Sequence, residues 1–263
     1  MNKDKIIYFS DELNDEFSTA QIQPRKIDES YNYDGNKFLR AISHFFWYRI
    51  IFYPGAWIYL KLVYHHKIIN RKALKKEKKN SFFLYGNHTN DMADPYIPTF
   101  VVFPKSNYVI VHANNVSMPF LGRITPSLGA IPLPDNLAAS KNFTNSIKDK
   151  VEHNHPVTIY PEAHIWPFYT KIRPFGNTSF RYPVQYDKAV YCFTNTYQKR
   201  KFSKTPKIVT YIDGPFYPDK NLNGKDQRED LRNKVYSAMV ERSKMNNVEL
   251  IKYIKKTDEE KND

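Results

Sequence analysis

A single cysteine, Cys192, stands in a chain of 263 residues, and that scarcity excludes a disulfide framework and any cysteine-rich zinc site. A reducing compartment is the corresponding expectation. Set within AVYCFTN, Cys192 reads as a small buried core residue. Glycine is also scarce, eight in all, and none of them builds a GxGxxG or GxxxxGK phosphate loop. The GxSxG elbow of serine hydrolases and the HExxH helix of zinc proteases are missing too. A secretory leader is not expected, because the apolar run in MNKDKIIYFSDELNDEF is short and turns acidic at once.

Negative charge is in deficit, with 27 Asp and Glu against 40 Lys and Arg, a formal net charge of +13. Residues 1–36 nevertheless hold eight acidic and four basic side chains, a balance of −4, so the remainder carries +17. Such a field favours anionic partners: nucleic acid, anionic lipid surfaces and acidic carrier proteins all qualify. No nucleic-acid recognition motif accompanies the charge, and nucleic acid is not an expected partner.

Aromatic residues are plentiful, at 16%, and they crowd a segment that begins abruptly at KFLRAISHFFWYRIIFYPGAWIYLKLVYHHK. Between Arg40 and Lys61 lie twenty residues in which Arg49 alone is charged, about the length of a membrane-spanning helix. Arg49 near the middle opposes a span, and Pro54-Gly55 predicts a break or kink. Phe38, Ile42, Phe45 and Phe52 fall near one helical face, with Arg40, His44 and Tyr48 on another. Two short amphipathic helices lying in a membrane interface are the expectation, and an aromatic core helix is the competing one. The cluster Lys67, Arg71, Lys72, Lys75, Lys76, Lys78 and Lys79 follows directly. Basic residues beside an amphipathic aromatic segment suit an anionic membrane surface at the cytoplasmic face, bound in a peripheral or monotopic manner.

From residue 80 onward, SFFLYG, NYVIVHA, PVTIYPE, KAVYCFTNTY and PKIVTYIDG read as strands. NLAASKNFTNSIKDKVEH and QREDLRNKVYSAMVERSKM read as helices. The alternation predicts an α/β fold, a single domain with a mixed, mostly parallel sheet flanked by helices. The expected division is an acidic, weakly structured or short-helical lead-in over 1–36, a membrane-contact segment over 37–79, the α/β domain over 80–250 and a tail over 251–263 that frays at KKTDEEKND.

Ligands of open α/β sheets gather at the carboxyl ends of strands. FFLYG runs directly into Asn87-His88, and VTIYP into Glu162-Ala163-His164. A neutral imidazole takes a proton from an attacking hydroxyl near neutral pH when a carboxylate orients its other nitrogen. Asp91 and Asp94 are both close enough in sequence. On a regular helix Asp91 lies near the face of His88 and Asp94 about 120° away, an objection that lapses if the backbone loops before Pro95. His88 with the two aspartates offers no spaced set of further metal ligands.

The ordered blocks NHTNDMAD, LGAIPLP, YPEAHIWPF and RYPVQYDKAVYCF resemble those of glycerolipid acyltransferases of the lysophosphatidic-acid acyltransferase type. That family shows NHxxxxD, a Gly-x-Ile block, a FPEGTR-like block and a Pro-containing apolar strand, and the likeness covers roughly residues 80–195. It implies that His88 deprotonates the acceptor hydroxyl, which attacks an acyl thioester directly with no acyl-enzyme intermediate. The resemblance makes Asp94 the orienting acid, with Asp91 as the alternative. It assigns Asn87, Gly129, Glu162, His164 and Arg173 to the substrate site, Gly129 for close backbone approach and Glu162 for shaping the acceptor pocket. The implied partners are a lysophospholipid acceptor and an acyl carrier protein or coenzyme A thioester as donor, with no cofactor.

This chain departs from the pattern in three places. Five residues separate His88 from Asp94 instead of four, GAIPLPD lacks the second block's arginine, and Ile165 stands where FPEGTR has its own. Either Arg173, Lys141 or Arg123 takes over the acceptor's phosphate, with Arg173 preferred, or the acceptor is not lysophosphatidic acid. The competing function is a non-catalytic, basic peripheral membrane protein that binds lipid on the same fold.

Overall fold

The computed structural model describes residues 5–17, 22–33 and 35–256. The described chain opens with β1 (Lys5–Phe9) and continues into one helical rod: α1 (Lys37–His44), a π-helical stretch (Phe45–Phe52) and α2 (Tyr53–Val63). Then come β2 (Lys67–Ile69), β3 (Phe83–Gly86), α3 (Ile97–Val102), β4 (Tyr108–Val111), α4 (Leu121–Ile124) and β5 (Ala130–Pro132). They are followed by α5 (Ser140–Glu152), β6 (Val157–Ile159), α6 (Arg181–Tyr186), β7 (Val190–Arg200), β8 (Ser203–Phe216), α7 (Gly224–Ser243) and β9 (Ile251–Lys255).

Seven strands form one sheet in the order β2-β8-β7-β3-β6-β4-β5. Every neighbouring pair is parallel except β7–β8. The fold is α/β with a mixed, mostly parallel sheet between helices, as the alternating pattern predicts. β3 and β7 are apolar runs because both faces of the sheet are covered. Phe83 and Tyr85 point to a core shared with Ile147 and Val151 of α5 and Leu231 and Val235 of α7. Leu84 points to the other core, with Ala56 and Leu60 of α2 and Ile97 and Val101 of α3. The period of two along the strand produces that division.

Three expectations need correction. β2 pairs with β8, so residues 67–69 belong to the sheet rather than to a separate membrane segment. β1 and β9 pair in parallel from Lys5↔Ile251 to Phe9↔Lys255, so the lead-in, expected to be weakly structured or short-helical, and the start of the tail both contribute a strand. The rest of the predicted tail, 257–263, lies outside the described residues.

Pro54-Gly55 also fails to break the rod. The Tyr53 N–H bonds to the Tyr48 carbonyl, a π-type register, and Pro54 then stands in the first turn of α2. Its missing N–H is tolerated there. The rod's polarity is inverted relative to a core helix. His44 bonds to the Ser127 carbonyl and to Ser106, Tyr48 to Thr99 and Arg49 to the Pro104 carbonyl. Phe38, Leu39, Ile42, Phe45, Ile50, Ile51, Trp57, Ile58 and Leu62 are exposed. Among the described residues, no helix is long and apolar enough to cross a membrane.

Candidate active site

β3 delivers the chain to the carboxyl edge of the sheet, where Gly86 lies so close to the Phe193 ring that a Cβ would sit 2.1 Å from it. The next residue, Asn87, is buried and extends the β3–β7 pairing by side chain. Its Nδ2 donates to the Asn195 carbonyl at 3.0 Å, and the Asn195 N–H donates back to Asn87 Oδ1 at 2.8 Å. Asn87 therefore fixes the strand end, and its amide is not presented to a substrate.

His88 and Asp94 meet at 2.9 Å, Nδ1 to Oδ2. The intervening residues form a loop, not a helix. Asn90 Oδ1 accepts from the Met92 and Ala93 N–H groups at 3.2 and 2.9 Å, which folds the backbone back before Pro95. The helical objection to Asp94 thereby disappears, and the extra residue is absorbed in the turn. Asp94 Oδ2 also accepts from the backbone N–H groups of Thr89 and Asn90, both at 2.9 Å. Asn195 Nδ2 donates to Oδ1 at 3.2 Å. Asp91, the alternative partner, is exposed to solvent and is not the carboxylate that reaches the ring.

A carboxylate accepts only, so Nδ1 carries the proton and Nε2 is left as a lone-pair acceptor. The His88 side chain keeps 19% of its surface accessible while that of Asp94 keeps none, which leaves the ring reachable and its partner sealed. Tyr160 stacks on the imidazole, centroids 4.4 Å apart at 21°, and its hydroxyl donates to the Asp94 carbonyl at 2.7 Å.

Glu162 is buried and braces His88 from behind: its Oε2 accepts from the His88 backbone N–H at 3.1 Å and its Oε1 from the Arg173 N–H at 3.0 Å. Burial raises its carboxyl above the ordinary range, and the Arg173 charge and the two N–H groups offset part of that. Both Glu162 oxygens are thus occupied by backbone N–H groups, one of them that of His88. Arg173 is equally committed. Its guanidinium donates to the carbonyls of Glu162, His164 and Glu12 and stacks over Trp166 at 4.9 Å. Arg173 is buried, and these carbonyls, with Glu162 Oε2 at 3.7 Å, occupy its guanidinium.

Gly129 has φ +96°, and a Cβ there would sit 2.3 Å from the Asn107 carbonyl oxygen. What approaches it is the neighbouring strand entry, at the amino end of β5, and not a substrate. Asp135, at the end of GAIPLPD, accepts from the Ile27 N–H at 2.7 Å and so holds the N-terminal segment. His164 lies 3.4 Å from Glu16 of that same segment. Arg123 and Lys141 are exposed.

Asn195, which the sequence alone does not single out, joins the His88–Asp94 cluster through Asp94 Oδ1. Its Oδ1 accepts from Thr210, whose hydroxyl bonds to His66 Nε2 at 2.8 Å, so a buried polar chain backs Asp94. The signal was available in CFTNTY, where Thr194, Asn195 and Thr196 interrupt an apolar strand and are all buried. Among the described residues, no cluster of three or more His, Cys, Asp or Glu is placed to hold a metal ion.

The geometry can therefore remove a proton from a hydroxyl at Nε2 while Asp94 stabilises the imidazolium that forms. Curated proteins gave no match to the chain. Among solved structures, the 1-acyl-sn-glycerophosphate (LPA) acyltransferase PlsC from Thermotoga maritima is similar in fold, with a TM-score of 0.52 and 16% identity over 82% of this chain and 100% of that one. A family model described as Acyltransferase matches residues 65–195, from the segment before β2 to the Asn195 that backs the aspartate. Residues 65–195 of this chain are an acyltransferase-family domain.

Proposed function

We propose that the protein transfers a fatty acyl group from an acyl thioester, carried by acyl carrier protein or coenzyme A, to the hydroxyl of a lysophospholipid or glycerol-phosphate-type acceptor. The carrying observation is the His88–Asp94 pair at 2.9 Å, with an accessible imidazole over a sealed carboxylate. His88 Nε2 takes the hydroxyl proton as the acceptor oxygen attacks the thioester carbonyl carbon. Collapse of the tetrahedral intermediate breaks the C–S bond, and the imidazolium returns its proton to the leaving thiolate. Cys192 is buried, and burial pushes its thiol far up, so it offers no route to an acyl-enzyme. The reaction takes place at a membrane surface, a setting supported by the exposed apolar face of the rod and the basic side chains that follow it.

Purified protein incubated with mixed lysolipids and both classes of acyl donor, with products identified by mass, tests the reading. His88→Ala is expected to lower turnover by about 10² to 10⁴ with the circular dichroism unchanged. A folded variant that keeps most of its activity removes His88 as the base. Vesicle binding with no product from any acceptor and donor replaces the proposal with a non-catalytic lipid-binding role.

A further inference from the structure

Two neighbouring clefts lie away from His88, and they differ in charge. The one of about 380 Å³ contains Asp149, which already faces Lys37, Lys150 and His153 at 4.0, 2.7 and 3.5 Å. The other, of about 450 Å³, is lined by Arg25, Lys26, Arg40, Arg123, Tyr31 and Ser127 among others, and no described lining residue is acidic. Four cations around one concavity repel one another; Asp28 faces Lys26 from outside the lining and offsets part of that, and an anion held among them offsets more.

The walls of this second cleft are fixed by contacts to the body of the domain. The Arg25 N–H donates to Ser117 Oγ at 2.8 Å, the Ile27 N–H to Asp135 at 2.7 Å, and Asn142 reaches the Glu29 carbonyl at 2.9 Å. The Arg25 guanidinium lies 5.5 Å from the Tyr31 ring centroid. Arg40 belongs to the first turn of α1, on the face of His44 and Tyr48, so the cleft lies at the start of the rod whose other face exposes Phe38 and Ile42.

Strand register separates this cleft from the chemistry. Ala130 is level with Val109, Val109 with Thr158 and Thr158 with Leu84, so Ser127 lies below the level of Leu84 while His88 lies four residues above it. β5 is also three strand positions from β3. At about 4.8 Å between strands and 3.3 Å per residue, Ser127 lies on the order of 20 Å from His88, while Arg25, held at Ser117 beyond the carboxyl end of β4, stands nearer the level of the histidine but two to three strand positions to the side. A lysolipid with its hydroxyl at His88 does not reach Ser127 with its phosphate.

We infer that this cleft is a binding site for the phosphate-bearing headgroup of an anionic membrane phospholipid, distinct from the acceptor site. Its anion chemistry is shared by free phosphate. Its position at the start of the rod, whose outer face exposes Phe38 and Ile42, favours a ligand presented at a lipid surface, where the cleft meets the headgroup layer while those apolar side chains enter the acyl region. Vesicle binding needs no turnover, so the inference stands apart from the acyl-transfer reading.

The test uses flotation of the full chain with vesicles of phosphatidylcholine alone or of phosphatidylcholine with phosphatidylglycerol. Arg25→Gln combined with Arg123→Gln removes two charges from the cleft. Lys204→Gln combined with Lys225→Gln removes the same charge from exposed side chains outside both the cleft and the basic cluster that follows the rod. The cleft variant is expected to lose about tenfold more of the preference for anionic vesicles than the control, with binding to phosphatidylcholine retained. Equal losses mean diffuse surface attraction and overturn the inference, as does failure of the native chain to prefer anionic vesicles. Inorganic phosphate and glycerol phosphate are added in parallel. If either abolishes the preference at millimolar concentration in the native chain, the site belongs to a soluble anion and the lipid assignment falls.

Discussion

Asp94 receives three hydrogen bonds on one oxygen, from the His88 ring and the Thr89 and Asn90 backbone, and a fourth on the other from Asn195. An amide in its place keeps the shape, but wherever its NH₂ group faces Nδ1, the ring is turned to the wrong tautomer. Asp94→Asn is therefore expected to lower acyl transfer by about 10² to 10⁴, the range typical of lost general-base assistance. Asp91→Asn, at an exposed position, is expected to stay within a few-fold of wild type. Steady-state rates of the two purified variants side by side check the pair, and equal loss in both contradicts the assignment. Sequence reasoning reached His88 and both candidate carboxylates because strand ends and residue chemistry are local properties. It did not separate the carboxylates, because the Asx turn at Asn90 and the donor from β7 depend on which backbone groups meet in space.

The N-terminal segment shows the same limit for whole elements. β1 is too short and too exposed along most of its length to announce itself, and its partner is the distant β9. Together with the residues that follow β1, it forms a strap over the loop that holds Glu162. Trp166 anchors that strap, fully buried, with Phe9 at 4.8 Å and Tyr253 at 5.1 Å, and its indole N–H donates to the Asp15 carbonyl at 2.7 Å. Trp166→Ala is expected to destabilise the protein by about 3–5 kcal/mol, read as a lower urea midpoint. A loss under about 1 kcal/mol implies that the strap is peripheral to stability. In the rod, the hydrophobic period was legible, whereas the direction of its faces was not. Polar partners at Ser106, Thr99 and Ser127 turn the polar stripe inward.

Across the whole molecule, histidines held neutral set the response to acid. Burial pulls His66 down to about 4 from an ordinary 6.5, and His155 to the same value with help from His44 and Lys150. Below pH 6.5 the unfolded chain takes up these protons and the folded one does not. Stability is therefore complete above pH 6.5 and falls as pH drops towards 4. For the buried His66 alone, the shift corresponds to about 3 kcal/mol. Glu162 acts in the opposite sense, since its raised carboxyl contributes below its ordinary range and that contribution is lost as pH rises. Urea midpoints measured from pH 7 to pH 4 should fall steadily, and His66→Asn should flatten the slope. An unchanged slope in that variant assigns the acid sensitivity to other groups. The α/β class and most strands were legible because parallel strands covered on both faces read as apolar runs. β2 and β5, three residues each, are too short to carry a period of their own.

The parallel pairing of Lys5 with Ile251 also bears on synthesis. At roughly 5–20 residues per second, a ribosome finishes the His88 loop well before β9 emerges. The wall behind that loop, where Tyr253 stacks on Trp166, is completed only by the last described strand. A nascent chain therefore carries its histidine and aspartate early and gains the support around them last.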